Sequence, residues 1–262
     1  MVRRDKANYT IQSVSHALDV LEQFTGDTDE LGVTELSKRL KLHKNNVFRL
    51  LATLEARGYI EQNKATENYR LGVRCLGLGQ RFLQQAGLLR QARPVMADLA
   101  REVGETVLVS VLQGDFGVVL DAVEPSRAVR LVPRIGDLRP LHATAAGKVL
   151  LAFSDQGGTV GERPEPYARC TPQTIVDPGA LRVEVEAVAR QQFALELGEH
   201  VADVGAVAVP IHDYTGTVVA ALCLAGPLER LSRERLRDDI APRIMRAGRG
   251  LSARLGHPGN GN

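Results

Sequence analysis

The sequence lacks the features that mark secreted and membrane proteins. Its three cysteines, Cys75, Cys170 and Cys223, are odd in number and far apart, which excludes a disulfide scaffold and favours a reduced cytoplasmic protein. The longest uncharged apolar stretch, residues 215–228, is shorter than the roughly 18 residues of a membrane span. No apolar segment follows the basic N-terminus, so we expect no signal peptide and no membrane partner.

Charge is divided unevenly along the 262 residues. Lys and Arg outnumber Asp and Glu by five in residues 1–93, whereas acidic residues outnumber basic ones by three in residues 94–262. A basic front and a mildly acidic back suggest two modules, and a polyanionic partner would meet the first. With 44% hydrophobic residues, the chain has an apolar fraction that is ordinary for a globular protein with a buried core.

The first 72 residues have the pattern of three short helices and a hairpin. Apolar residues recur at helical spacing over residues 13–24, 34–41 and 43–58, with Ser13 as the candidate N-cap of the first helix. Two short strands around a polar turn follow, at residues 59–62 and 69–71. This order predicts a winged helix-turn-helix domain over residues 1–72.

The remainder of the chain predicts a linker helix followed by an α+β domain. Residues 73–93 contain no acidic residue and are predicted as one helix, which Pro94 ends or kinks. Further helices are predicted at residues 94–103, 145–153, 178–197 and 231–255, the last with a kink at Pro242. Strands are predicted at residues 106–113, 117–123, 129–134, 204–212 and 218–225. We therefore expect a second domain over residues 94–256 and a disordered tail at residues 257–262.

The leading end of the third predicted helix is polar and is the first candidate for function. Asn can bond adenine bidentately, Lys or Arg can bind guanine or phosphate, and recognition helices present their N-terminal residues to bases. The candidate DNA contacts are Thr34, His43, Lys44, Asn45, Asn46, Arg49, Lys64 and Arg70. A solvated helix face carries similar charges, but the position after a tight turn and before a hairpin favours DNA. For Lys64 and Arg70 a soluble turn explains the residues equally well.

A Gly-Lys pair in residues 141–150 invites comparison with a phosphate-binding loop. That pattern requires glycine five residues before Gly147 and Ser or Thr after Lys148, but His142 and Val149 stand there. A helix beginning at Ala145 would still offer free N–H groups to an anion such as a carboxylate. The alternative is a helix that simply starts with small residues.

Spacings typical of metal sites or nucleophilic catalysis do not occur in the sequence. We expect no metal, no cofactor and no catalytic residue. Glu199, His200 and Asp203 could serve in acid/base chemistry, line a pocket or face water. The competing hypotheses are therefore a small-molecule enzyme, hydrolytic or metal-dependent, with a helical appendage, and a winged helix that docks proteins and not DNA.

Several segments in combination resemble the IclR (isocitrate lyase regulator) family of bacterial transcriptional regulators. They are IQSVxxALxVL (residues 11–21), LSKRL (36–40), VFRLLATL (47–54), GYI (58–60), YRLG (69–72), LHATAAGKVLLA (141–152), VAVP (207–210) and AALCLAGP (220–227). The resemblance covers nearly the whole chain and implies a winged-helix domain, a linker helix and a GAF-like effector-binding domain. It also implies a homodimer or dimer of dimers on double-stranded operator DNA, acting as repressor or activator.

The same resemblance implies where a small organic acid or aromatic metabolite binds. The effector would lie against the main chain at Ala145 and Ala146, with Glu199, Pro210, Cys223 and Ala225 facing it. Asp203 stands where the family commonly has glycine, and Cys223 and Ala225 stand where some members have serines. Fewer hydroxyl groups suit a less polar effector.

Overall fold

The computed structural model describes residues 10–24, 30–85, 87–153 and 167–258. The chain divides into two units, residues 1–85 and residues 86–262. The first unit contains helices α1 (Gln12–Leu21), α2 (Val33–Leu40), α3 (Lys44–Ala56) and α4 (Val73–Gln85), and the hairpin strands β1 (Ile60–Gln62) and β2 (Tyr69–Leu71). The predicted domain bounds of 1–72, 73–93 and 94–256 stay predictions.

The core of the first unit follows from the apolar stripe of α3. Val47 and Leu51, one helical turn apart, are fully buried together with Val20 of α1 and Leu36 of α2. The hairpin is antiparallel, and backbone bonds between Leu31 and Tyr69 attach it to the segment before α2. The three helices and the hairpin therefore share one core.

The start of α1 differs from the prediction. Ser13 does not cap the helix; Ile11 occupies the N-cap position, and its side chain makes no capping hydrogen bond. The helix also ends at Leu21, three residues earlier than predicted, because the chain continues as turns up to Phe24.

Every described residue of the predicted linker, residues 73–85 and 87–93, is helical and lies in α4 or in the first part of α5 (Gly87–Val103). The described part of α4 reaches Gln85, Ala86 lies outside the described residues, and α5 continues through Pro94. Pro94 fits inside α5 without ending it.

The second unit is built around a six-stranded antiparallel sheet. Its strands are β3 (Thr106–Gln113), β4 (Phe116–Val123), β5 (Leu138–Pro140), β6 (Ala194–Leu197), β7 (Val204–His212) and β8 (Val218–Pro227), in the order β5-β4-β3-β8-β7-β6. Its other helices are α6 (Ala145–Phe153), α7 (Pro178–Gln191), α8 (Arg233–Arg235) and α9 (Ala241–Arg254). This arrangement confirms the predicted α+β class.

Helices cover both faces of the sheet, and the pleat of β7 decides which residues meet which helix. Ala206 and Ala208 pack in the same core cluster as Ala145 and Val149 of α6. The alternate residue Val209 lies against Gly248 of α9 on the other face. Strands buried on both faces explain why β7 and β8 are almost continuously apolar.

Two predicted elements are corrected in the second unit. Residues 129–134 form no strand; the carbonyl of Leu131 accepts a hydrogen bond from Thr106 Oγ1, and that of Val129 accepts one from Arg230 Nη2, so side chains replace a neighbouring strand. The predicted helix over residues 178–197 ends at Gln191, because Gln192 adopts a left-handed conformation with φ 66°. The last four residues of that prediction form β6, which pairs with β7.

The C-terminal helix and tail also differ from the prediction. One π-helical turn, residues Leu236–Ile240, separates α8 from α9, so the irregularity comes before Pro242, which lies in the first turn of α9. The predicted disordered tail begins with a residue that is held in place. The His257 ring stacks on the His212 ring, and the backbone N–H of His257 donates to the Ser252 carbonyl. Residues 259–262 lie outside the described residues.

Gly147→Ala is expected to destabilise the second unit by about 1–3 kcal/mol. A Cβ at this position would collide with the carbonyl oxygen and Cα of Leu141, and backbone atoms cannot move aside cheaply. Urea unfolding checks this against Gly250→Ala in α9, where no atom lies within 4 Å of the added Cβ. The control should be neutral or gain about 0.5–1 kcal/mol. Equal effects of the two substitutions would contradict the packing described.

Candidate functional site

The leading turn of α3 is exposed on the surface of the first unit. Lys44, Asn45, Asn46 and Arg49 are all exposed, whereas Val47 on the same helix is fully buried. The predicted DNA-contacting side chains therefore share one face, which the core behind them holds in place. A polar helix end of this kind can present amide and cationic groups to the edges of bases in a major groove.

His43 has a structural part in this turn in addition to its exposure. It is the N-cap of α3, where its Nδ1 accepts a hydrogen bond from the N–H of Asn45 at 3.3 Å. A capping side chain satisfies one of the free N–H groups at a helix start. The His43 ring thus orients the first turn, and its other nitrogen remains on the exposed side.

The other predicted DNA contacts lie at the surface of the same unit. Thr34, in the first turn of α2, and Lys64, at the hairpin tip, are exposed. Arg70 on β2 forms an ion pair with Glu61 on β1, with Nε and Oε1 2.6 Å apart and both side chains about half exposed. Phosphate contact by Arg70 would therefore compete with a solvent-screened pair of small energy. The sequence analysis missed Phe48, whose side chain is 56% exposed beside Arg49.

The hairpin turn is held from the segment that precedes α2. The Glu30 carboxylate accepts hydrogen bonds from Asn63 Nδ2 and from Thr66 Oγ1, each at 2.7 Å. These two hydrogen bonds lower the pKa of Glu30, and the bond from Asn63 has the larger effect. The hairpin tip that carries Lys64 is therefore attached at two points.

A second surface feature of the first unit is an apolar stripe on α1. Ile11, Val14 and Leu18 are each more than half exposed, at spacings of three and four residues that place them on one side of the helix. On α4, Val73 and Leu76 are also more than half exposed. Exposed apolar side chains grouped along one side of a helix are typical of a protein interface.

The second unit contains a cavity of about 70 Å³ between the sheet and the start of α6. Apolar side chains line most of it, including Leu108, Leu131, Val204 and Ala206. Its polar lining residues are Ser110, Arg139, Thr144, Glu196 and His200. Small ligands commonly bind in such a place, which is mostly apolar with a few polar groups.

Glu196 of β6 places a carboxyl group at the N-terminus of α6. Its Oε2 accepts a hydrogen bond from the Ala145 N–H at 3.2 Å, and its Oε1 accepts one from the His200 N–H at 3.4 Å. Burial raises the pKa of Glu196 to about 7, although these two N–H groups and Lys148 oppose the rise. The carboxyl therefore titrates near neutral pH while it faces the cavity.

The remaining N–H groups of the first turn of α6 are divided between the protein and the cavity. Thr144 caps the helix, since its Oγ1 accepts from the Gly147 N–H at 3.1 Å and donates to the Pro140 carbonyl. Ala146 lines the cavity between these capped positions. A helix N-terminus that borders a cavity favours negative charge in that part of the cavity.

Lys148 fastens α6 to the segment that follows β6. Its fully buried ammonium donates to Glu199 Oε1 at 2.7 Å, to the Leu195 carbonyl at 2.8 Å and to Glu184 Oε1 at 3.3 Å. Burial raises the pKa of Glu199, and the Lys148 ammonium opposes that rise. The Gly-Lys pair of the sequence therefore has a packing explanation: Gly147 permits close approach, and Lys148 supplies a buried anchor.

The predicted effector residues divide into three groups by location. Ala146, Cys223 and Ala225 line the cavity. Ala145 donates its N–H to Glu196, and Glu199 binds Lys148, so both support the cavity from behind its lining. Pro210 instead lines a separate cavity near α9, together with His212 and His257.

Sequence reasoning missed four polar lining residues, namely Ser110, Arg139, Thr144 and Glu196. Glu196 was missed because residues 194–197 were assigned to a helix, whereas they form β6, in which Glu196 is buried. Burial and the Arg139 charge lower the pKa of His200, and burial raises the pKa of Cys223 to about 12. The Cys223 thiol is therefore not a nucleophile at neutral pH.

Within the described ranges, no group of three or more His, Cys, Asp or Glu side chains is placed to hold a metal ion. No helix in the described part of the chain is long and apolar enough to cross a membrane. The two units together define a class of protein. It is a regulator with a helix-turn-helix whose third helix begins with exposed polar residues, and with a separate ligand-binding domain.

Comparison with known proteins identifies the family within that class. A family model described as "IclR helix-turn-helix domain" matches residues 13–64, and one described as "Bacterial transcriptional regulator IclR C-terminal" matches residues 80–253. The chain belongs to the IclR family of bacterial transcriptional regulators, with an N-terminal helix-turn-helix DNA-binding domain and a C-terminal effector domain. The predicted family and fold class are confirmed.

Characterised relatives match over almost the whole chain. The chain is 34% identical over 255 residues to the HTH-type transcriptional regulator KdgR of Escherichia coli, covering 97% of this chain and 96% of that protein. It is 33% identical over 250 residues to the HTH-type transcriptional regulator XynR of Escherichia coli, covering 95% and 98%. These relatives are transcriptional regulators, which weighs against the enzyme hypothesis.

Solved structures give the same assignment. An IclR transcriptional regulator from Silicibacter sp. TM1040 matches with a TM-score of 0.83 and 31% identity, covering 94% of this chain and 96% of that one. An IclR homologue from Microbacterium hydrocarbonoxydans, complexed with 4-hydroxybenzoate, matches with a TM-score of 0.75 and 25% identity, covering 93% and 98%.

Glu196→Gln is expected to remove a loss of stability that accompanies rising pH. The pKa of Glu196 is raised from 4.5 to about 7 by folding, so the side chain opposes folding little below pH 4.5 and most above pH 7. At about 1.4 kcal/mol per pKa unit, the penalty reaches the order of 3 kcal/mol at pH 8.

Denaturant unfolding of the full chain at pH 5 and pH 8 measures this effect. The Glu196→Gln variant should lose less stability between the two pH values than the wild type. Glu186→Gln, at an exposed position of α7, is the matched control and should follow the wild type. A Glu196→Gln variant with the wild-type pH dependence would show that Glu196 is ionised without cost in the folded protein.

Proposed function

We propose that the protein is a transcriptional regulator whose affinity for double-stranded operator DNA is controlled by a small organic acid or aromatic metabolite bound in the second unit. The observation that carries the proposal is the exposed polar turn of α3, held by the buried residues Val47 and Leu51 behind it. The cavity beside α6 supports ligand control, as does the 4-hydroxybenzoate bound by a relative. Such a regulator acts in the cytoplasm, without catalysis or a cofactor.

The proposed mechanism is a shift between two arrangements of an assembled regulator. Effector binding favours one arrangement, and the helices between the DNA-binding and effector domains change the spacing of the two winged helices. Half-sites on DNA lie about 34 Å apart for each helical turn, so a small change of spacing alters affinity strongly. The effector can shift this equilibrium only by its difference in affinity for the two arrangements.

Two α3 substitutions test the DNA interface. Asn45→Ala should cost about 1–3 kcal/mol of binding, unequally among DNA sequences, because a lost base contact affects one position. Arg49→Ala should weaken binding to all sequences and reduce the salt dependence, because a phosphate contact carries no sequence information.

Fluorescence anisotropy measures these effects with a duplex that the full-length protein selects from a randomised pool. Arg190→Ala removes the same charge from an exposed position of α7 and is the control, expected to bind as the wild type. Wild-type affinity in both α3 variants would refute the proposed interface.

We further propose that the chain forms a homodimer, or a dimer of dimers, through the apolar stripe of α1 and the exposed apolar residues of α4. Ile11, Val14 and Leu18 would be buried by a second copy, and a two-fold dimer reads a palindromic operator with two recognition helices. Dimers bind two half-sites at once, so the assembly also supports the affinity for DNA.

Leu18→Glu is expected to lower the assembly state, because it places a charge within the buried stripe. Light scattering coupled to gel filtration should give two or four chain masses for the wild type and a lower mass for the variant. Val183→Glu makes the same kind of change at an exposed position of α7 and should leave the mass unchanged. A monomeric wild type, or an unaltered mass for Leu18→Glu, would exclude this interface.

A further inference from the structure

The second unit contains another cavity, of about 270 Å³, beyond the end of the pairing between β6 and β7. Strand β6 pairs with β7 only as far as Ala208, and the next two residues of β7, Val209 and Pro210, line this cavity. Met245, Arg249 and Ser252 line it from α9. None of its described lining residues lines the cavity beside α6, so the two spaces are separate.

Two stacked histidines lie in this second cavity, which we call the histidine cavity. The ring centroids of His212, at the end of β7, and His257, after α9, are 4.9 Å apart, and the ring planes differ by 21°. Ser252 holds both residues. Its Oγ accepts the backbone N–H of His212 at 3.0 Å, and its carbonyl accepts the backbone N–H of His257 at 3.0 Å. One residue of α9 therefore fixes the position of the pair.

The His257 ring has one nitrogen engaged and one available. Its Nδ1 lies 3.3 Å from the carbonyl oxygen of Asp213, and because a carbonyl can only accept, Nδ1 carries a hydrogen. In the neutral ring Nε2 is then an acceptor, and it becomes a donor only when the ring gains a proton. An anion that binds at Nε2 would therefore bind together with a proton.

The charged groups around the pair make the histidine cavity cationic. Arg249 lines it and, in the described part of the chain, makes no ion pair and no side-chain hydrogen bond. The Asp213 carboxylate is engaged in its own turn, where Oδ1 accepts the backbone N–H groups of Thr215 and Thr217 and the Thr215 hydroxyl. From α6, only the uncharged ring edge of Phe153 meets His212.

The two imidazoles oppose each other's ionisation. Burial lowers the pKa of His212, the charge of His257 lowers it further, and Asp213 opposes the decrease. Two imidazolium rings at this separation repel each other, so both are protonated at little cost only when a negative charge lies beside them. A bound anion would supply that charge.

The arrangement of the donors favours one class of anion. They come from three elements: His212 from β7, Arg249 from α9 and His257 from the chain after α9. A planar carboxylate is satisfied by one guanidinium group, whereas donors from several elements suit the tetrahedral oxygens of a phosphate. The apolar wall formed by Val209, Pro210 and Met245 suits a carbon-bearing group.

We propose that the histidine cavity is a second ligand site, separate from the effector cavity, and that it binds a phosphate monoester. The cationic groups of Arg249, His212 and His257 contact the phosphate oxygens, and the apolar wall contacts the organic group. Because His257 takes up a proton on binding, the affinity for an anion of constant charge rises as pH falls. The inference goes beyond the proposed function and does not depend on DNA binding.

The first test is isothermal titration calorimetry of the full-length protein with phenyl phosphate, inorganic phosphate, benzoate and phenol. Phenyl phosphate should bind the wild type. Benzoate, which is planar and carries one charge, should bind roughly tenfold more weakly, and phenol should not bind detectably. Inorganic phosphate should also bind more weakly than phenyl phosphate, because it leaves the apolar wall unused. Equal affinity for the two phosphates would show that the site takes the free ion and not an ester.

Arg249→Gln should weaken binding of phenyl phosphate by roughly tenfold or more, because it removes the guanidinium. Arg246→Gln removes the same charge from an exposed position of α9 that does not line the histidine cavity, and it should bind as the wild type. Thermal unfolding of Arg249→Gln establishes that a loss of binding is not a loss of folding. Loss of binding in Arg139→Gln, with wild-type affinity in Arg249→Gln, would place the ligand in the cavity beside α6 and overturn the proposal.

The second test uses sulfate, whose charge does not change between pH 6 and pH 8. The wild type should bind sulfate roughly tenfold more tightly at pH 6 than at pH 8. His257→Asn should reduce this ratio, because its side-chain amide can still donate to the Asp213 carbonyl but does not titrate.

The inference is overturned if phenyl phosphate does not bind the wild type, if benzoate binds as tightly as phenyl phosphate, or if folded Arg249→Gln retains wild-type affinity. It is also overturned if sulfate does not bind at pH 6, if sulfate affinity is the same at both pH values, or if His257→Asn keeps the wild-type ratio.

Discussion

The second unit depends on how the first turn of α6 is held. Thr144 caps the turn, Glu196 accepts the Ala145 N–H, and Lys148 ties the helix to the segment after β6. Gly147 allows the turn to approach the backbone of Leu141 more closely than any side chain would permit. These contacts come from parts of the chain that are far apart in sequence. Together they fix the position of the helix start that borders the cavity.

The exposed polar surface of the first unit depends on simpler, more local contacts. One apolar stripe on α3 fixes which side chains point away from the core, and the exposed polar residues follow from it. The His43 cap and the bonds from Glu30 to the hairpin add local order at the two places where DNA contacts are proposed. The DNA-binding surface therefore depends on local periodicity, whereas the cavity depends on long-range pairing.

This difference explains what could be predicted from the sequence. Helix α6 and strands β3 and β7 match their predicted bounds to the residue, because each is a strongly apolar run with clear ends. Residues 194–197 were placed in a helix because Ala, Leu and Glu favour helices, and pairing with β7 overrides that preference. Glu196 was therefore missed. Ser110 and Arg139 could not be predicted as cavity residues from the sequence around them either, because only the order of the strands in the sheet brings them to one cavity.

The burial of Lys148 has a consequence for how ionic strength acts on the protein. Its ion pair with Glu199 lies in the interior, where dissolved salt screens charges weakly. The cationic groups at the start of α3 face solvent, and attraction to a polyanion through such groups declines steeply as counterions accumulate. Raising salt would thus release nucleic acid while leaving the architecture of the sensor intact, so the two activities of one chain can be separated by buffer alone.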